Sequence, residues 1–116
     1  METKEQVKEI RRIMEDKKGE NIRIIDISQV STIADYFVIV SAENNNQSEA
    51  IAEEIERVLA RQGVFVKSIE GGKNASWKLM DYGDIIVHIF LKEDRIFYDI
   101  ERIWGDGRFI DDMASL

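Results

Sequence analysis

Val7, Ile10 and Met14 recur at i, i+3 and i+7 with Ile13 beside them, in an otherwise charged opening segment. This spacing predicts an amphipathic helix that Gly19 ends. Ile22, Ile24, Ile25 and Ile27 then form a short β-branched run, and after a polar turn at Ser28–Ser31 comes Tyr36-Phe37-Val38-Ile39-Val40. Both runs read as strands, and the second is apolar on both alternating faces, which predicts a central strand covered on two sides. Asn44-Asn45-Asn46-Gln47 supplies side chains that can cap free helical N–H groups ahead of Ile51, Ile55, Val58 and Leu59, the clearest helical repeat in the chain.

Gly63 stops that helix, and Val64-Phe65-Val66 is a strand candidate. The turn Glu70-Gly71-Gly72-Lys73-Asn74 leads to Trp77-Lys78-Leu79-Met80, so the pair reads as a hairpin. Beyond Asp81-Tyr82-Gly83-Asp84, the residues Ile85 to Leu91 are apolar on both faces apart from His88, which places this strand inside the sheet. Ile96, Phe97, Ile100, Ile103 and Trp104 keep helical spacing. On one continuous helix they would bury Phe97 and Trp104 and leave Arg95, Tyr98, Asp99 and Arg102 on the open face. The order α-β-β-α-β-β-β-α predicts an α/β fold, a mixed sheet of about five strands covered by helices. A single domain over 1–105 is expected, followed by an acidic tail at 106–116 with a mobile end.

Composition narrows the function. The 116 residues contain no cysteine and one histidine, which excludes disulfide scaffolds, thiol catalysis, thiolate metal sites and multi-histidine cages. A net charge of −7 opposes sequence-independent binding to a phosphate backbone, but suits docking on a basic protein. The charged start has no apolar signal core, and no apolar run approaches the ~20 residues that span a bilayer, so a cytoplasmic location without membrane contact is expected.

Candidate chemistry is sparse. Gly71-Gly72-Lys73-Asn74 lacks the earlier glycine and the hydroxyl of a phosphate-binding loop and reads as a turn. Asp99 and Glu101 could hold a divalent metal on a strand, as a nucleotidyltransferase would require, but on a helix they point apart and read as solvated or salt-bridged surface residues. His88 has no carboxylate within reach on its own strand to orient it as a base. Trp77, Tyr82, Phe90, Tyr98 and Trp104 are interleaved with Glu70, Lys78, Asp81, Asp84, Arg95 and Asp99, a mixture found at protein-binding hot spots and also in cores.

The segments Ala34-Asp35-Tyr36-Phe37-Val38-Ile39, Glu70-Gly71, Trp77, Asp81-Tyr82-Gly83-Asp84-Ile85-Ile86-Val87-His88-Ile89-Phe90 and Arg95 to Trp104 together resemble the ribosomal silencing factor family, also called the Iojap or RsfS family. The resemblance implies a nucleotidyltransferase-like fold without transferase activity, metal or cofactor. It also implies binding to the large-subunit ribosomal protein numbered fourteen, with small-subunit joining blocked and translation lowered when nutrients are short. The family's contact positions match Glu70, Trp77, Asp81, His88 and Tyr98. A metal-dependent nucleotidyltransferase and a general acidic adaptor are the alternatives, a role in ribosome biogenesis stays open beside silencing, and an exposed strand edge or aromatic patch could equally serve a homodimer.

Overall fold

The computed structural model describes all of residues 1–116. Helix α1 (Thr3–Asp16) is followed by strands β1 (Glu20–Asp26) and β2 (Tyr36–Ala42), helix α2 (Asn45–Arg61), strands β3 (Ser68–Glu70), β4 (Trp77–Asp81) and β5 (Ile85–Leu91), the short helices α3 (Lys92–Tyr98) and α4 (Ile100–Ile103), and strand β6 (Arg108–Ile110). The expected α/β class holds, and the order of element types is as expected as far as α3; α4 and the sixth strand lie beyond it. The sheet has six strands in the order β3-β4-β5-β2-β1-β6. Only β2 and β5 run parallel, joined through α2 and the β3–β4 hairpin; the other pairs are antiparallel.

Strand β2 is buried along its whole length, as its two apolar faces require. One face of the sheet carries α1 and α2, whose Val7, Ile10, Ile13, Met14, Ile51, Ile55 and Leu59 close over Val38, Val40, Val87 and Ile89 in a cluster of 19 buried residues. The opposite face holds a cluster of only 7, among them Phe37, Ile39, Phe90 and Ile100. This asymmetry leaves the second face partly open.

Caps and turns fix the long helices. Asn44 Oδ1 accepts the Gln47 N–H at 2.9 Å, while Gln47 Nε2 donates to the carbonyls of Lys17 and Lys18 at 3.0 and 2.8 Å, tying the start of α2 to the exit of α1. Gly63, at φ +80°, ends α2 as expected, with Gly63 N–H on the Ala60 carbonyl and Val64 N–H on the Leu59 carbonyl. At α1 the left-handed residue is Lys18 (φ 65°), not Gly19. Gly19 serves a different end: a Cβ there would lie 2.5 Å from Val40 Cγ2, so the glycine lets the chain leave α1 against the central strand.

Three expectations need correction. Val64-Phe65-Val66 is not a strand; Val64 and Val66 pack on the core in irregular backbone, Phe65 is exposed, and pairing starts at Ser68. The segment expected as an acidic tail supplies β6, which pairs with β1 through Ile24–Ile110 and Ile25–Phe109 and caps that edge of the sheet. The last helix is not continuous. Asp99 takes a left-handed conformation (φ 46°, ψ 50°) and splits it into α3 and α4. No helix is long and apolar enough to cross a membrane.

Replacing Gly19 with alanine is expected to destabilise the fold by about 1–3 kcal/mol, the usual cost of forcing an atom into a packed core. Urea denaturation checks this, and a variant as stable as the parent would show that β2 yields.

Candidate protein-docking face

Residues directly opposite one another in a sheet share a face. On the side away from α1 and α2, one row reads Glu70, Leu79, His88, Ile39, Arg23 across β3, β4, β5, β2 and β1. On one side of it lies Trp77, Phe90, Ser41, and on the other Asp81, Ile86, Phe37, Ile25. Four of the five residues singled out from the sequence, Glu70, Trp77, Asp81 and His88, thus stand on the same face. Tyr98 joins them from α3, its ring centroid 4.8 Å from that of Trp77.

The centre of the face is an aromatic stack. The Trp77 ring lies on Phe90, with centroids 4.8 Å apart and planes 25° apart, and Tyr98 packs on Phe97 nearly at a right angle at 5.2 Å. Trp77 Nε1–H donates to His88 Nδ1 at 3.1 Å. An indole nitrogen can only donate, so Nδ1 must be the unprotonated nitrogen and the neutral ring carries its proton on Nε2. Nε2 is buried and has no hydrogen-bond partner. His88 is 4% exposed, enclosed by Phe37, Trp77 and Phe90, and burial lowers its pKa from 6.5 to about 4.

The acids differ in freedom. Glu70 is exposed on β3, while the half-buried Asp81 accepts the Gly83 N–H at 2.7 Å and so shapes the β4–β5 turn. Glu101 is engaged: its oxygens accept Arg95 Nε and Nη2 at 3.0 and 3.2 Å, and Arg95 Nη1 reaches Ser41 Oγ at 2.9 Å. Asp99 faces Arg102 at 3.6 Å. These two acids belong to ion pairs, as their helical spacing led one to expect. Across the molecule no group of three or more histidine, aspartate or glutamate side chains is placed to hold a metal ion.

With the break at Asp99, Arg95 and Phe97 exchange the places read from the sequence, while Tyr98, Asp99 and Arg102 are exposed as expected. Arg95, assigned to the open face, is buried at 7% exposure, and Phe97, assigned to the core, is 78% exposed. Trp104 does pack inward, edge-on to Phe37 at 5.0 Å. Phe97 is exposed and packs on Tyr98, which packs on Trp77, so α3 presents an apolar ledge continuous with the aromatic stack; Ile96 on α3 and Ile103 on α4 are also exposed. Sequence periodicity missed this ledge because it assumed one unbroken helix; a glycine or proline at 99 would have signalled the break, and aspartate does so only weakly.

Comparison with known proteins places this geometry in context. The family model described as "Ribosomal silencing factor during starvation" matches residues 1–115. A ribosomal silencing factor of Bacillus subtilis is 40% identical over 97 residues, covering 84% of this chain and 82% of that protein. A crystal structure of a protein from Chromobacterium violaceum superposes with a TM-score of 0.87 at 33% identity, covering 90% of this chain and 88% of that one. A mouse protein named for mitochondrial assembly of the ribosomal large subunit is 26% identical over 108 residues, covering 90% of this chain and 47% of its own length.

The lowered pKa of His88 has a measurable consequence. Between the unfolded value of 6.5 and the folded value of about 4, the unfolded chain binds the proton more readily, so His88 lowers stability as pH falls through that window. From about pH 7 to about pH 5 the loss is about 2 kcal/mol. Urea titrations of the parent and of His88→Phe test it: the parent should show the decline and the variant should lack it, and parallel curves would refute the assignment.

Proposed function

The chain belongs to the family of ribosomal silencing factors, and on that premise we propose that it docks on the large ribosomal subunit through the Trp77–Tyr98 face and represses translation by obstruction. The partner is the large-subunit ribosomal protein numbered fourteen, and the step blocked is joining of the small subunit. The observation that carries the reading is the half-open aromatic face, flanked by Glu70, Asp81 and the α3 ledge of Phe97 and Tyr98.

The physical case has three parts. Exposed Tyr98 and Phe97 beside half-buried Trp77 form an apolar centre with a charged rim, the arrangement in which a few aromatic anchors dominate binding. The net charge of −7 complements the basic character of ribosomal proteins and speeds encounter. Principal extents of 34 × 33 × 24 Å make the domain large enough to occupy a subunit interface, so no bond need be made or broken. Glu70 and Asp81 act at the rim, whereas Trp77 and Tyr98 act at the centre. The names of the relatives, silencing factors and a protein of mitochondrial large-subunit assembly, accord with a ribosome-associated role, and the likeness to the bacterial silencing factor favours a cytoplasmic protein that acts without enzymatic activity.

Trp77→Ala and Tyr98→Ala should each weaken retention on purified large subunits by tenfold or more, as about 1.4 kcal/mol or more at an anchor implies, while Glu70→Gln should change it less than about threefold. Sedimentation with separated subunits reads the binding, and a subunit-joining assay reads the obstruction. Full retention by both folded aromatic variants would reject this surface, and joining at full speed with the protein bound would reject the mechanism.

A further inference from the structure

We infer that His88 is a positioning residue of the docking face: it holds the Trp77 indole by its N–H so that the partner meets only the apolar plate of the ring. The inference rests on the docking reading above and assigns His88 a role different from that of a contact residue. At 4% exposure its ring is not available to a protein approaching from outside. Its Nδ1 instead accepts from the only polar group of the Trp77 side chain, the indole N–H, at 3.1 Å.

The geometry makes this hold directional. Residues 77 and 88 sit on adjacent antiparallel strands two residues out of register and so on the same face, since Trp77 faces Phe90 and His88 faces Leu79. The two backbones are therefore fixed by the ladder, and the diagonal bond sets the rotation of the indole about its side-chain torsions. Phe90 supports one side of the ring and Tyr98 packs against it at 46°, so stacking restrains its tilt while the bond restrains its in-plane orientation. An exposed tryptophan that must desolvate its N–H on docking needs an acceptor from the partner. Trp77 needs none, because that donor is already satisfied on the inner side.

The chemistry of the partner follows. What lies on Trp77 is a carbon surface without an obligatory acceptor, and with exposed Glu70 on the same face, opposite Leu79, the fitting group is the aliphatic stem of a lysine or arginine, its charge over the ring or toward that acid. An acceptor-led contact, such as a carboxylate or carbonyl aimed at the indole N–H, would have to break the bond to His88.

Three forms of the full chain test this. In the parent, a through-hydrogen-bond coupling between the Trp77 Nε1 and His88 Nδ1 nuclei is expected. His88→Phe keeps the ring and removes the acceptor; it should lose that coupling, move the Trp77 indole proton resonance and lower affinity for purified large subunits by about tenfold. His88→Asn places an amide oxygen where Nδ1 stood and should recover most of the affinity. Absence of the coupling in the parent, parental affinity in a folded His88→Phe, or an Asn variant as weak as Phe would each overturn the positioning role. If His88→Phe does not fold, the parental coupling and the Asn variant still decide. A parent that shows the coupling but does not sediment with large subunits overturns the docking reading itself, and the partner chemistry with it.

Discussion

The parallel pair β2–β5 is apolar on both faces, and everything else in the molecule answers the need to cover it. One face is closed by α1 and α2, whose stripes are wide and whose ends are capped into each other through Gln47. Nothing of comparable size reaches the other face. Its central rows are sheltered by the short pair α3 and α4 and by the side chains of the sheet itself, so Phe37, His88, Phe90 and Trp77 pack mostly on one another. An aromatic face that is half core and half surface is the result, and such a surface suits docking.

Holding α3 and α4 in place falls to a buried ion pair. Seven- and four-residue helices have no stability of their own. Arg95 turns inward, grips Glu101 with two donors and reaches Ser41 on β2, so the polar group that would be costly to bury alone is satisfied in three directions. Lys92 adds a surface tie to Glu20 and Glu43. With its polar side chain spent on the sheet, α3 has Ile96 and Phe97 left over, and these face solvent.

The nucleotidyltransferase alternative needed Asp99 and Glu101 to hold a metal, yet these carboxylates are engaged with Arg102 and Arg95. Function on this scaffold has to be argued from the face, where the Trp77 indole N–H is paired inward on His88 Nδ1 and Glu70 is set at the rim.

The strands and the long helices were legible in the sequence because local pattern suffices where burial is two-sided or strictly periodic: Tyr36–Val40, Ile85–Leu91 and the Ile51–Leu59 stripe admit little else. Glu70, Trp77, Asp81, His88 and Tyr98 could be named from their resemblance to a family, but their common face depends on strand register, which no single strand specifies. Three-residue strands such as β3 and β6 are too short to leave a period and exist because a neighbour offers an edge. The inward turn of Arg95 and the outward turn of Phe97 were decided by tertiary structure alone. A left-handed aspartate and a carboxylate six residues away outweighed helical periodicity, because pairing a buried charge is worth more than hiding one apolar side chain.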